Sequence, residues 1–214
     1  MISPERLDLM QLQWVRLLQP LNVDLVQAYS VFDRLVAAYS EPHRHYHTLE
    51  HLGEVFRVAG RLPCDNRLAV NLAIWFHDVV YDPIRNYNEE QSALFAERWL
   101  GELNLTKELI ETVQQLIRAT AHLDGNQPST LPDVVALLDA DLAILGADQK
   151  RYFRYAADIR REYSHVPEDQ YRQGRSAVLQ KFLAQPAIYR SRLLQEEGEA
   201  AARRNLEAEL QSLI

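Results

Sequence analysis

Arg67-Leu68-Ala69-Val70-Asn71-Leu72-Ala73-Ile74-Trp75-Phe76-His77-Asp78-Val79-Val80-Tyr81 decides how the chain is read. Its apolar residues (Leu68 to Val70, Leu72 to Phe76, Val79 and Val80) go all round a helical cylinder. That pattern assigns the stretch to a central helix buried on every side. The apolar run Leu68 to Phe76, interrupted by Asn71, is far too short to span a bilayer. Two adjacent ionisable residues, His77 and Asp78, stand in this helix. Burying both without partners costs several kcal/mol, on the order of a small domain's whole stability margin. A lone buried His is usually a satisfied core residue, but a His beside an Asp demands more.

Outward from this helix, periods of three and four dominate, with no convincing alternating strand. Ser3-Pro4-Glu5 opens a helix that Pro20 ends, with Pro in the first turn, where its missing N–H costs nothing. A second helix runs from about Val23 to Ala38, and a third from about Tyr46 to Arg61. The central helix covers Asn66 to about Tyr81. Asn88 caps a helix to about Leu103, with Gln91 at capping-box spacing. Thr106 caps the next, to about His122, before the turn Asp124-Gly125-Asn126-Gln127-Pro128. Others cover about Pro132–Leu145, Gln149–Tyr163, Glu168–Ala184 and a charged stretch to Ile214. No repeat, low-complexity run or linker divides the chain. The expectation is one all-α domain over residues 1–214, with roughly ten helices.

Composition agrees with that class. The 214 residues are 47% hydrophobic and 25% charged, which argues against a disordered chain. Seven glycines and nine prolines are too few for a collagen or a turn-rich sandwich. A net charge of −7 argues against a duplex nucleic-acid partner, because such binders carry a large basic face. The single cysteine, Cys64, excludes an intrachain disulfide and a Cys-rich metal site. The first residues lack a basic region followed by an apolar core, so a soluble cytoplasmic protein without a membrane partner is expected.

Polar groups on apolar faces mark the candidate site. In Leu131 to Gly146, residues Val134, Leu137, Leu138, Leu142 and Leu145 define one apolar face. Asp141 falls inside it, whereas Asp139 points well away. A carboxylate on a buried stripe is expensive unless paired or bound to metal. The plainer alternative is an Asp that caps a helix or pairs with Arg. His47 and His51, four residues apart, share a helix face beside Leu52, Val55, Phe56 and Ala59. Both can face one ion, or one can bind metal while the other handles protons. With His43 and His45 nearby, the segment also reads as merely His-rich. His51, His77, Asp78 and Asp141 together offer two neutral nitrogens and two carboxylates. That set suits a divalent cation with open positions for water: manganese, iron, zinc, nickel or magnesium.

These residues resemble the HD superfamily of metal-dependent phosphohydrolases, whose members carry a His, then an adjacent His-Asp pair, then a distant Asp on a helical domain. The likeness runs through Arg44-His45-Tyr46-His47-Thr48-Leu49-Glu50-His51, Trp75-Phe76-His77-Asp78-Val79-Val80-Tyr81, Asn88-Glu89-Glu90-Gln91-Ser92-Ala93 and Leu138-Asp139-Ala140-Asp141-Leu142. It implies an HD-type helical bundle with His51, His77, Asp78 and Asp141 as metal ligands. Tyr46-His47-x-x-x-His51 is also similar to a segment of cyclic-nucleotide phosphodiesterases, which implies that His47 donates a proton to the leaving group. Many two-metal HD enzymes supply further histidines after the His-Asp pair. This chain has Asn88, Glu89 and Glu90 there, which leaves a second metal unsupported.

Likeness to guanosine-tetraphosphate hydrolases implies instead that Glu89 or Glu90 approaches the attacking water. Helix capping is the alternative for this acidic run. His122, at a helix end favoured by the dipole, is a candidate second proton carrier. Arg44 and Arg118 are candidates for phosphate contact or for surface pairing. The resemblance implies hydrolysis of a small phosphate ester, nucleotide-like, by metal-activated water. Two rivals remain at this level: an HD-fold di-iron oxygenase, and a ligand sensor that keeps its metal for structure.

Overall fold

A computed structural model describes residues 2–121 and 130–213, in which the regular structure is helical. The eleven α-helices are α1 (Pro4–Leu18), α2 (Leu25–Tyr39), α3 (Leu49–Ala59), α4 (Arg67–Phe76), α5 (Asn88–Glu102), α6 (Lys107–Arg118), α7 (Pro132–Asp141), α8 (Gln149–Glu162), α9 (Glu168–Leu183), α10 (Arg192–Glu197) and α11 (Glu199–Ser212). The all-α expectation holds. The charged C-terminal stretch divides at Gly198 into α10 and α11. His122 and the 124–128 turn lie outside the described residues. No described helix is long and apolar enough to cross a membrane.

Helix α4 is central, as its all-round apolar pattern requires. Leu72, Ala73, Ile74, Trp75 and Phe76 are fully buried, and the helix packs against α3, α5, α6 and α7. Burial of each large aliphatic or Phe side chain contributes roughly 1.5–3 kcal/mol. Buried apolar side chains from Met10 to Leu206 form a single cluster around it.

The helix stops at Phe76, earlier than the pattern to Tyr81 suggests. Its continuation is prevented by partners from elsewhere in the chain. Arg44 donates to the carbonyls of Asp78 and Val79 at 2.7 and 3.0 Å. Ser92 exchanges hydrogen bonds with Val80, accepting its N–H and donating to its carbonyl. Those carbonyls are therefore satisfied outside a helix, and Asp78 sits in the turn that follows α4.

Two more boundaries differ from the sequence reading. Helix α3 begins at Leu49, so His47 precedes it and does not share its face. Asn88 does not cap α5. Its side chain bonds to both the N–H and the carbonyl of Asp82, pinning the loop between α4 and α5.

Candidate metal centre

Helices α3, α4 and α7 all touch one another, and each brings part of one cluster. His51 lies in the first turn of α3, His77 and Asp78 follow the last residue of α4, and Asp141 is the last residue of α7. His51 and His77 are buried, while Asp78 and Asp141 are half-buried. One donor atom from each residue lies within 4.8 Å of the other three.

The two Nε2 atoms are 3.3 Å apart. Asp141 Oδ1 is 3.2 Å from His51 Nε2 and 3.6 Å from His77 Nε2. Asp78 Oδ2 is 3.1 Å from His77 Nε2 and 3.7 Å from His51 Nε2. Donors about 2.1 Å from one ion stand ~3.0 Å apart at cis octahedral positions and ~3.4 Å apart in a tetrahedron. The His–His and His–Asp distances, 3.1–3.7 Å, fall near that spacing.

Protonation chemistry agrees. His77 Nδ1 is 2.9 Å from the carbonyl of Ile74. A carbonyl only accepts, so Nδ1 carries a proton and Nε2 faces the cluster. Burial works against a charge on His77, yet Asp78 and Asp141 raise its pKa well above the ordinary range. Burial likewise pushes Asp78 up, but His77 and His47 more than offset it and hold the carboxyl below its ordinary value. The site calls for a positive charge among these donors, and a divalent cation fits that demand.

A carboxylate that sequence reasoning passed over holds His47. Glu162 Oε1 accepts the backbone N–H groups of His45, Tyr46 and His47 at 2.7, 2.7 and 3.0 Å. Its Oε2 lies 2.7 Å from His47 Nδ1 and accepts the Tyr81 hydroxyl at 2.9 Å. A carboxylate can only accept, so Nδ1 bears the proton and Nε2 is left for the cleft. The His47 ring stacks on Tyr81 with centroids 4.1 Å apart. Burial opposes its protonation, but the bond to Glu162 and the charges of Asp78, Glu162 and Asp141 prevail, and its pKa is raised.

The signal for Glu162 was present in the sequence. Tyr152, Tyr155, Ile159 and Glu162 form one buried stripe of α8, so the carboxylate falls on an apolar face as Asp141 does. It also ends the helix, where the dipole disfavours an acid.

Other candidates go elsewhere. Glu89 lines the cleft with His47, Asp78 and Asp141. Glu90 is exposed and pairs with Arg118 at 2.6 and 2.9 Å, and neither lines the cleft. Arg44 is buried, bonding Glu41 and the carbonyls of His47, Asp78 and Val79, which makes it a brace for the loops around the site.

Asp139 corrects the helical-phase reading in one respect. It does lie off the Asp141 face, yet it is fully buried. Its carboxylate accepts the N–H of Arg190 at 2.9 and 3.1 Å and that of Ser191 at 2.6 Å. The plain role for an aspartate in this helix, fixing the start of another helix, belongs to Asp139. Asp141 joins the donor cluster.

Compared with protein-family models, curated proteins and solved structures, the chain gives no match.

Proposed function

We propose that the protein is a metal-dependent phosphohydrolase of the HD type, acting on a small phosphate ester. One observation carries the reading. A four-donor His/Asp cluster and a carboxylate-held histidine open on the same cleft, lined by His47, Asp78, Asp141 and Glu89.

His51, His77, Asp78 and Asp141 would hold the ion, which when bound lowers the pKa of water and neutralises phosphate oxygens. His47, protonated on both nitrogens, gives its Nε2 proton to the departing ester oxygen. Glu162 fixes that ring's orientation and compensates its charge. Glu89 is the cleft carboxylate outside the donor set, and it accepts the proton that the attacking water loses. Water adds to phosphorus, the phosphorus–oxygen ester bond breaks, and the alcohol leaves with the proton from His47.

Metal analysis of protein purified without chelator, followed by a phosphate-release screen with the metal found, tests this. About one equivalent of metal and metal-dependent phosphate release are expected. Bound iron with dioxygen uptake and no phosphate release would assign the centre to oxidation. Bound metal with no turnover of any ester would leave a sensor.

A further inference from the structure

The cleft at the donor cluster encloses about 640 Å³, the volume of a pocket that takes a whole small molecule and far more than a phosphoryl group fills. Its helical wall presents Tyr155, Ile159, Val166, Tyr171, Val178 and Phe182, from α8, α9 and the turn between them. Rings and branched chains on that wall favour an apolar ligand surface, ring faces above all.

Charge narrows the choice further. Beside the proton donor His47, the described residues of the cleft include two arginines, Arg85 and Arg175. Arg175 is spent on both oxygens of the buried Glu209 at 2.7 and 3.0 Å. Arg85 is held by Asp82 at 2.9 Å. Asp78, Glu89 and Asp141 stand on the other side of the balance. The smaller pocket, which shares Tyr46 and Asp141 with the cleft, holds three arginines, but Arg61 and Arg151 are paired with Glu197 and Glu54. A polyphosphate chain needs several uncommitted cations, and this lining repels the charges that one metal centre leaves uncompensated.

We infer that the substrate is a phosphomonoester of an apolar, ring-bearing alcohol. Its single phosphoryl group sits at the donor cluster and its alcohol lies against the α8–α9 wall. The inference rests on the phosphohydrolase reading above and adds the substrate class. Hydrolysis consumes one water and releases inorganic phosphate and the free alcohol, with no change of oxidation state.

The test compares phosphate release by the metal-loaded protein from 1-naphthyl phosphate and glycerol phosphate, and from a nucleoside monophosphate and its triphosphate. Burying a ring is worth roughly 10- to 100-fold, so kcat/KM should favour naphthyl over glycerol phosphate by at least about tenfold. The monophosphate should likewise exceed the triphosphate. Phe182→Ala should shrink the naphthyl preference and weaken 1-naphthol binding measured by calorimetry. The comparison on the unaltered protein stands even if that variant does not fold. Equal or better turnover of glycerol phosphate or of the triphosphate overturns the inference and leaves the hydrolase reading intact. No phosphate release from any ester overturns both.

Discussion

Glu162 accepts the Nδ1 proton of His47 at 2.7 Å while its other oxygen holds the three N–H groups of residues 45–47. One carboxylate therefore sets the ring, its tautomer and the backbone that carries it. Glutamine cannot reproduce this, because its single oxygen can serve either the backbone or the ring. The other side would then face donor to donor. Glu162→Gln should lower kcat at least about tenfold while metal content stays that of the unaltered protein. Metal loss in this variant would show that Glu162 supports the donor cluster instead.

The same pair gives a pH signature in stability. Burial raises the pKa of Glu162, but its bonds to His47 lower it more, to about 2. Its contribution is thus present above the ordinary carboxylate value of about 4.3 and is lost as pH falls from there through about 2. His47 is shifted upward, so its contribution is complete below about 6.5 and disappears as pH rises through the folded value. The pair is fully stabilising between those limits. The Tm difference between the unaltered protein and Glu162→Gln should be widest at about pH 4.5–6.5 and should narrow on either side. Taking the difference reduces the donor cluster's own titration, in which His77 influences Asp78 more than His47 does. A gap that grew steadily toward high pH would contradict the charged pair.

His47 and His51 separate by placement. His51 points its Nε2 into the cluster, while His47 lies before α3 and is held by Glu162. His51→Ala should lose metal. His47→Ala should keep it and lose ~10²–10⁴-fold in turnover. Equal metal loss in both would reassign His47 to the ligand set.

What was legible in the sequence divides along physical lines. The all-round apolar pattern of residues 68–76 gave the central helix, because burial on every side leaves a mark that needs no partner to be read. Where that helix stops was not legible, since Arg44 and Ser92 claim the carbonyls of residues 78–80 from distant positions. His51, His77, Asp78 and Asp141 were legible as ionisable groups in or beside apolar helix faces, although Asp78 lies in the turn after α4. Glu162 obeyed the same rule on α8 and was passed over among the neighbouring basic residues Arg160 and Arg161. Glu90 and Arg118 illustrate the opposite case. Their types suit a site, but their mutual ion pair is visible only in three dimensions.

Asp139 and Asp141, two residues apart, should respond oppositely to the same substitution. Asp141→Asn removes a charged donor from a cluster whose histidine nitrogens lie 3.2 and 3.6 Å from it, and an amide compensates a cation poorly. Metal binding should be abolished or greatly weakened. Stability without metal should change little or rise, because one of two neighbouring carboxylates is neutralised. Asp139→Asn leaves those distances untouched but halves the acceptors that fix Arg190 and Ser191, with no solvent to replace them. Leaving a buried N–H unsatisfied costs about 1–3 kcal/mol, so Tm should fall by several degrees. Metal affinity should stay within about tenfold, the residual effect coming from slack at the end of α7. Calorimetric metal titration and thermal melts of both variants decide it. Metal loss in Asp139→Asn with retention in Asp141→Asn would exchange the two roles and remove Asp141 from the centre.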